Sequence, residues 1–342
     1  MKLKKLKNLL LVISIMSAII IATACGNEKT TGDANEKGAK KEKVLLKFGH
    51  VAPSTGPIGE PALAFKEEVE KSSNGNVEVE VYEGGQLGGL RELTEQIEMG
   101  SLEMGILSVA NLSSYAPELG VLDMPYLFKD REQVYKNLDG KFGKTLGEKL
   151  EEKAGMKILG FWEYGFGTVG SSKAIKSPAD MKGLALRLQP SAILTETFGA
   201  LGVESATVDS LELNTAIQQG VIDGSMYFYN ACTDTKCYEV VDYFTETNQS
   251  YGAIALVINK KIFDSLDKET QDLIVEMGKK YTKLQREMNT KKEIESKKFM
   301  KEHGTKIIEN KQIDNEAFKK AVAPVYKKYE KQYKDILDLL VE

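Results

Sequence analysis

Residues 76–109 read NVEVEVYEGGQLGGLRELTEQIEMGSLEMGILSV, and this segment shows the pattern that decides the fold. The alternation of valine and glutamate over 76–82 predicts a strand with one buried face. A helix is predicted over 87–99, and a short buried strand follows over 102–109. The same succession of strands and helices extends in both directions along the chain. It predicts βαβ units and an α/β fold with largely parallel sheets.

The C-terminal part of the chain has a different pattern. Residues 267–303 carry apolar side chains every three or four positions among lysines and glutamates. This spacing predicts one long amphipathic helix, with Asp267 as its N-terminal cap and Gly304 at its end. The apolar residues that set the spacing are Leu273, Ile274, Met277, Tyr281, Leu284 and Met288.

Residues 1–24 are predicted to be an export signal. Four lysines lie between positions 2 and 7, and the uncharged run that follows is shorter than the roughly 20 apolar residues of a membrane span. Small residues then precede Cys25, as in the lipobox of bacterial lipoproteins, although Ala22 stands where that motif more often has a larger aliphatic residue. The pattern predicts a lipid anchor at Cys25 and a protein held outside the cytoplasmic membrane. A plain signal peptide with a nearby cysteine is the alternative.

The segment 25–43 is predicted to be a flexible tether. It contains no aliphatic side chain larger than alanine and is rich in glycine, lysine, glutamate, asparagine and threonine. Such a segment cannot bury enough apolar surface to fold by itself. The folded part of the protein is therefore expected to begin at residue 44.

Charge and rare residues exclude several classes of function. Without the four lysines of the predicted signal, the formal net charge changes from −4 to −8, so nothing general attracts the chain to nucleic acid. Two histidines and three cysteines argue against a histidine-rich metal centre and a disulfide-stapled scaffold. Residues 84–89 lack the order of a phosphate-binding loop, and no nucleophile elbow or zinc-protease motif occurs. We expect no metal, no cofactor and no catalysis.

Arg187 and a few other residues stand out chemically. Arg187 lies within a short predicted strand among apolar residues, and a buried arginine needs an anion, either a protein carboxylate or the carboxylate of a ligand. Residues 161–167 read FWEYGFG and hold the one tryptophan of the chain. Cys232 and Cys237 lie about 140° apart on a continuous helix. Two buried thiols are therefore favoured over a disulfide, which requires the helix to break between them.

Five segments, taken together, resemble the extracytoplasmic solute receptors of tripartite ATP-independent periplasmic (TRAP) transporters, of the DctP type. The resemblance covers most of residues 44–342. The segments are GQLG at 85–88, PEL with LDMPYLF within 117–128, SPADMKGLALR at 177–187, ELNTAIQQGVIDG at 212–224 and YEVVDY at 238–243.

The resemblance implies a two-lobed α/β clamshell whose cleft lies between the lobes. It implies a receptor that closes on a small organic acid and delivers it to the TRAP membrane subunits. We expect a monomer. The implied parts are a first lobe at 44–168, completed by part of 259–342, a second lobe at 169–258, crossing hinge strands at 156–171 and 251–259, and a bracing helix at 267–303.

By this resemblance Arg187 is the arginine that binds the carboxylate of the solute, because a guanidinium group donates two parallel hydrogen bonds to it. The resemblance and the aromatic segment also place a set of further residues in the predicted pocket. These are His50, Ser108, Trp162, Tyr164, Phe166, Gly167, Gln189, Ser210, Tyr227 and Asn230.

Three departures from the family pattern bear on the solute. Gly167 stands where many relatives have a second arginine, Tyr227 replaces an amide that helps to hold a carboxylate, and Pro190 occupies a site that can carry an asparagine. The pocket therefore loses one charge and gains aromatic surface. We expect a monocarboxylate, or a polar neutral solute, with an apolar or aromatic part. Dicarboxylates and sialic-acid-like sugars are disfavoured.

The residues also leave other functions open. One is a receptor for an ABC importer or a sensor kinase instead of a TRAP transporter. A second is a lipoprotein enzyme that uses Cys232 or Glu163, although no set of nucleophile, base and orienting group is visible. A third is a structural or adhesive surface lipoprotein.

Overall fold

Two β-sheets organise the protein in the computed structural model, which describes residues 43–208 and 212–342. The strands are β1 Val44–Gly49, β2 Val77–Tyr82, β3 Met104–Ser108, β4 Met156–Phe166, β5 Thr168–Ser171, β6 Ala185–Arg187, β7 Glu204–Ala206, β8 Gly224–Tyr227, β9 Tyr243–Thr245, β10 Tyr251–Asn259 and β11 Lys306–Ile308. The helices are α1 Gly56–Ser72, α2 Leu90–Met99, α3 Val109–Leu112, α4 Arg131–Leu138, α5 Lys141–Ala154, α6 Ala192–Ala200, α7 Leu213–Gln218, α8 Tyr229–Thr235, α9 Lys260–Ser265, α10 Lys268–Glu302, α11 Asn315–Gln332 and α12 Lys334–Leu337.

The first sheet has the strand order β2-β1-β3-β10-β4, and the second has the order β11-β9-β5-β8-β6-β7. Strands β1, β2 and β3 run parallel, as do β6, β7 and β8. Strands β10 and β5 run antiparallel to their neighbours. The sheets are thus mixed rather than largely parallel. The reason is topological. Strands β5 and β10 each enter directly from the other sheet, so they start at the edge where the neighbouring strands end and run antiparallel to them.

The chain changes sheets at two places that lie side by side. Gly167 separates β4 from β5, and residues 246–250 separate β9 from β10. The Gly167 amide donates to the carbonyl of Ser250 over 2.9 Å, and the Asn248 amide donates to the carbonyl of Gly167 over 3.0 Å. The predicted crossing strand at 156–171 is therefore interrupted at Gly167. The second crossing precedes the predicted strand at 251–259 instead of running through it.

Helix α10 confirms the predicted long helix. Its 35 residues span about 50 Å. The carboxylate of Asp267 accepts a hydrogen bond from the Thr270 amide over 2.8 Å, and Gly304 follows the helix with a φ of +93°. The helix packs on α1 and β4 at one end and on α8 at the other. Below, the first lobe means the first sheet with α1–α5 and α9, and the second lobe means the second sheet with α6–α8.

Four apolar clusters form the core. One lies on each face of the first sheet, and two lie in the second lobe. Helix α11 joins them, because Phe318 packs in a second-lobe cluster while Val325 and Tyr329 pack in a first-lobe cluster. In the described ranges, no helix is apolar over a length that would cross a bilayer.

Cys232 and Cys237 form a disulfide, with 4.9 Å between their Cα atoms. The expectation of two free buried thiols is therefore wrong. Helix α8 ends at Thr235, and Lys236 adopts a φ of +57°, which supplies the break that the bond requires.

Candidate functional site

Strand ends from both sheets meet at the crossing segments. In the first sheet β1 and β3 end at this edge, where His50 and Ser108 lie. In the second sheet β6 and β8 end there, at Arg187 and Tyr227. The crevice outside the carboxyl ends of strands is the usual ligand site of α/β proteins. This crevice, which we call the cleft, is the candidate functional site.

The two lobes touch across the cleft. The hydroxyl of Ser108, at the end of β3, donates to the side-chain carbonyl of Gln189, just beyond β6, over 3.3 Å. Ile193 of α6 packs in a first-lobe cluster, and the Ser191 hydroxyl lies beside the buried carboxyl of Asp123. The structure thus brings Ser108 and Gln189 together, as expected of a shared pocket.

Arg187 is half-buried at the end of β6. Its Nε donates to the carbonyl of Val208 over 3.4 Å, and the Ser225 hydroxyl donates to the Arg187 carbonyl over 2.9 Å. The Val208 carbonyl therefore contacts the side chain of Arg187, and Ser225 holds its backbone. Its guanidinium group is close enough to Tyr227 to act on that phenol: burial raises the pKa of Tyr227, and the Arg187 charge opposes the rise.

Tyr227 lies on the next strand and is buried. Its ring stacks on Phe244, with 6.0 Å between the ring centroids, and also covers the backbone of Gly170. Its hydroxyl makes no hydrogen bond with any residue that the structure describes. A buried hydroxyl in that state lacks a partner that a bound molecule can supply.

His50 is 1% exposed and presents the same situation. Neither ring nitrogen has a hydrogen-bond partner within 43–208 and 212–342. Burial lowers the pKa of His50, and the nearby backbone of Ala52 and the Glu83 carboxylate oppose this only in part, so the ring is neutral near pH 7. Its polar nitrogens are therefore available to a neutral or anionic ligand.

Gln249 belongs to the same edge and was missed by the sequence reasoning. It is 1% exposed, and its Nε2 also lacks a hydrogen-bond partner among the described residues. The signal available in the sequence was the polar run Glu246–Ser250 between the apolar strands β9 and β10. Such a run is also typical of an exposed loop, so the sequence alone did not reveal that Thr247, Gln249 and Ser250 are buried.

Trp162 does not line the cleft, and its predicted role is corrected. It is fully buried in the first-lobe cluster under α10, and its indole nitrogen donates to the Thr282 hydroxyl over 3.1 Å. Alternate residues of a strand face opposite sides, and Trp162 faces the helix. No surface of this ring is left for a solute.

The other predicted aromatic residues are partly used by the protein. Tyr164 stacks on Phe228 with 5.4 Å between the centroids, and burial raises the pKa of Tyr164 to about 12. Phe166 meets Tyr251 edge to face at 5.4 Å and remains half-buried. The aromatic surface that stays partly exposed is thus smaller than expected and comes from Tyr164 and Phe166.

Asn230 also has a structural role, which corrects a second expectation. Its Nδ2 donates to the Asn289 Oδ1 over 2.6 Å, and its Oδ1 accepts from the Ser296 hydroxyl over 3.2 Å. Both ends of the amide are therefore occupied in joining α8 to α10. Ser210 and Cys25, with the predicted signal at 1–24, lie outside the described residues.

Two predicted features have no chemical role in the cleft. Glu163, considered as an acid or base, is fully buried and bonded to Arg131, Tyr251 and Asn289. No group of three or more metal-ligating side chains occurs in the part of the chain that the structure describes.

Gly167 leaves no room for a side chain in this arrangement. A Cβ atom there would lie 2.7 Å from the Ser250 Oγ and 3.3 Å from the Gln249 Nε2. A side chain at this position would therefore require the side chains of Ser250 and Gln249 to move.

The chain is similar to known proteins in both sequence and fold. Residues 48–332 match the family model described as bacterial extracellular solute-binding protein, family 7. The chain is 35% identical over 229 residues to the C4-dicarboxylate-binding periplasmic protein DctP of Rhodobacter capsulatus, with 67% of this chain and 68% of that protein covered. It is 30% identical over 340 residues to the C4-dicarboxylate-binding protein DctB of Bacillus subtilis (strain 168), with 95% of each covered.

The fold is also similar to solved structures. One is a TRAP periplasmic solute binding protein from Sulfitobacter sp. NAS-14.1 with bound β-D-galacturonate. Its TM-score to this chain is 0.82 at 29% sequence identity, and the match covers 86% of this chain and 99% of that one.

Proposed function

The chain belongs to family 7 of the bacterial extracellular solute-binding proteins, as a TRAP solute receptor for small organic acids, and we propose that Arg187 binds the carboxylate of its solute. Proteins of this family are extracytoplasmic binding proteins that work with TRAP membrane subunits and are not enzymes. The proposal therefore concerns how this receptor selects its acid.

One observation carries the proposal: Arg187 stands at the end of β6, beside a buried tyrosine hydroxyl that has no partner among the described residues. A carboxylate in front of the guanidinium would accept two charge-assisted hydrogen bonds and would leave an oxygen within reach of the phenol. Lysine would supply a point charge without the planar fork.

We further propose that the solute is a monocarboxylate with an apolar part. The groups that share the edge with Arg187 are neutral, namely Ser108, Gln189, Tyr227 and the His50 ring, so a second carboxylate would meet no cation there. The partly exposed rings of Tyr164 and Phe166 offer the apolar surface. The named solutes of the relatives differ among themselves, dicarboxylates in two and a sugar acid in a third, so kinship alone does not select one.

The experiment is calorimetric titration of the wild type, Arg187→Lys and Arg187→Met with D-galacturonate, hexanoate and adipate. Breaking a buried ion pair costs about 3–5 kcal/mol, so the best acid should bind at least a hundredfold more weakly to both variants. Arg91→Met is the matched control, because the Arg91 side chain is 81% exposed on α2. Unchanged affinity in the Arg187 variants would refute the role, and adipate as the tightest ligand would refute the preference for one carboxylate.

We also propose that Cys25 carries the lipid anchor and that the receptor is a monomer. The predicted second lobe at 169–258 takes in β10, which belongs to the first sheet, so we propose lobes at 44–168 with 251–259 and at 169–250. The sequence of residues 22–25 supports the anchor. In cells, Cys25→Ser should move the protein from the membrane fraction to the soluble extracytoplasmic fraction. Retention of the variant in the membrane would contradict the anchor, and a dimer in light scattering would contradict the monomer.

A further inference from the structure

Gln249 holds a buried donor that nothing in the described chain satisfies. Its side-chain oxygen accepts from the Thr247 hydroxyl, while its Nε2 has no partner within 43–208 and 212–342. The residue is 1% exposed, so water does not solvate it as it would a surface amide. Buried donors of this kind are rare in folded proteins, because an unmade hydrogen bond is costly.

The backbone around Gln249 is fixed. Its carbonyl accepts from the Tyr126 amide over 2.9 Å, and the neighbouring residues Asn248 and Ser250 pair with Gly167. The Nε2 atom lies 3.3 Å from the point where a Cβ of Gly167 would stand. The amide is therefore held at the floor of the cleft, between the two crossing segments.

The strand order gives the distance between this amide and Arg187. Arg187 lies on β6, Tyr227 lies on the adjacent β8, and Tyr227 pairs with Thr168 at the start of β5. Gly167 directly precedes Thr168. Arg187 pairs with Ser225, and Ser225 pairs with Gly170, three residues beyond Gly167. The backbones at Arg187 and Gly167 are therefore about 10 Å apart across the strands and about 10 Å apart along them, roughly 14 Å in all. This edge of the second sheet thus has a cation, Arg187, at one end and a neutral donor, the Gln249 amide, at the other.

We propose that Gln249 is a specificity-determining residue, whose Nε2 donates a hydrogen bond to a neutral oxygen at the end of the solute opposite its carboxylate. The solute class is then a monocarboxylate with a distal hydroxyl or carbonyl oxygen. This inference rests on the proposed role of Arg187. A solute oxygen that satisfies the amide only when the lobes are closed also favours closure.

The test uses hexanoate and 6-hydroxyhexanoate, which differ by one distal hydroxyl, together with adipate and D-galacturonate. Calorimetry compares the wild type with Gln249→Met, which keeps the length of the side chain and removes its donor. The wild type should bind 6-hydroxyhexanoate at least tenfold more tightly than hexanoate and than adipate. Gln249→Met should abolish this preference.

Several outcomes would overturn the inference. They are equal affinity of the wild type for the two six-carbon monocarboxylates, adipate as the tightest ligand, a preference that survives in Gln249→Met, or no binding of any of the four acids. Gln249→Leu provides a second variant that also lacks the donor, so a failure of Gln249→Met to fold does not remove the test. Arg187→Met separates the two proposals: unchanged affinity there refutes the carboxylate role, whatever hydroxyl preference the wild type shows.

Discussion

Helix α10 is bound to the two lobes in different ways. On the first lobe the helix makes ion pairs: Arg286 donates to both carboxylate oxygens of the exposed Asp139 over 2.7 and 2.9 Å, and Glu293 pairs with Arg131. Arg131 also donates to the fully buried Glu163 of β4 over 3.1 Å. Strand β4 is at the edge of its sheet, and Gln285 bonds both to its Glu163 amide and to its Glu163 carbonyl.

On the second lobe the same helix relies mainly on neutral groups. Asn230 of α8 bonds to Asn289 and Ser296, and the Thr233 and Ser296 hydroxyls lie 3.0 Å apart. Three ion pairs lie near this contact at partly exposed positions: Lys297 with Glu246 at 2.7 Å and with Glu309 at 3.4 Å, and Lys301 with Glu309 at 3.2 Å.

The difference indicates that the contact of α10 with the first lobe is the stronger one, and that its contact with α8 can be broken more easily. Separating buried charges leaves each of them unpaired at a cost of several kcal/mol, whereas amides and hydroxyls exchange protein partners for water at about 1 kcal/mol each. We therefore expect α10 to stay with the first lobe when the cleft opens, and the contact with α8 to adjust. The predictions below test that asymmetry.

The largest effect is expected at Glu163. Glu163→Leu removes the acid that pairs with Arg131 and also strips a partner from Asn289 and Tyr251. The free energy of unfolding should fall by about 3–5 kcal/mol, measured by urea denaturation. Glu152→Leu, at an exposed position on α5, is the control and should change it by less than about 0.5 kcal/mol. A loss below about 1 kcal/mol at Glu163 would remove the basis of the comparison.

This network shows why part of the molecule was predictable and part was not. The periodicity over 267–303 and its cap were local, and they specified α10 to within one residue at each end. Arg131, Glu163 and Glu293 are distant in sequence and meet only when the sheet and the helix pack. No local pattern announces their contact.

The same distinction applies to the cleft. Five linked segments pointed to the family and to Arg187, and strand periodicity located the strand ends. An aromatic run does not reveal which rings face the core, so Trp162 was placed on the wrong side of β4. Asn230 was misassigned for a similar reason, because its partner Asn289 lies on a helix 59 residues away. Gln249 was overlooked because its position in the cleft depends on its contact with Gly167, which lies in the other crossing segment.

The next prediction concerns Asp123, a buried acid at a contact between the lobes. Its pKa is set mainly by burial and not by a neighbouring cation. Burial raises its pKa from 3.8 to about 6, and the Ser191 hydroxyl opposes the rise. The folded state therefore binds the proton more tightly than the unfolded state, so the contribution of Asp123 to stability falls as pH rises from about 4 to about 6. At pH 7.5 the charged form costs up to about 3 kcal/mol.

Asp123→Asn should accordingly be more stable than the wild type at pH 7.5, and the difference should shrink as pH falls towards 4. Urea denaturation at pH 4.5, 6 and 7.5 measures it, and taking the difference cancels the titration of all other groups. A wild type that stays more stable than the variant at every pH would show that the ionised carboxylate has a favourable partner.

Asn230→Ala tests the second contact directly. It leaves the buried amide of Asn289 and the Ser296 hydroxyl without their partner, so the free energy of unfolding should fall by about 1–3 kcal/mol. Asn214→Ala, which removes a single exposed hydrogen bond to the Thr235 carbonyl, is the matched control. The asymmetry is sharpened if Asn230→Ala costs less than Glu163→Leu, and it is lost if the two costs are equal.

The smallest effect is expected at Lys297, although it carries two of the three ion pairs of the second contact. Its Nζ lies 2.7 Å from Glu246 and 3.4 Å from Glu309, and its side chain is 28% exposed. Water and salt screen a pair at this depth, so Lys297→Met should lower the free energy of unfolding by no more than about 1 kcal/mol. The loss should shrink further in 0.5 M NaCl, where the Debye length falls to about 4 Å. A loss near 3 kcal/mol that is insensitive to salt would mean that charge fastens both lobes alike, and that opening must move α10 as well.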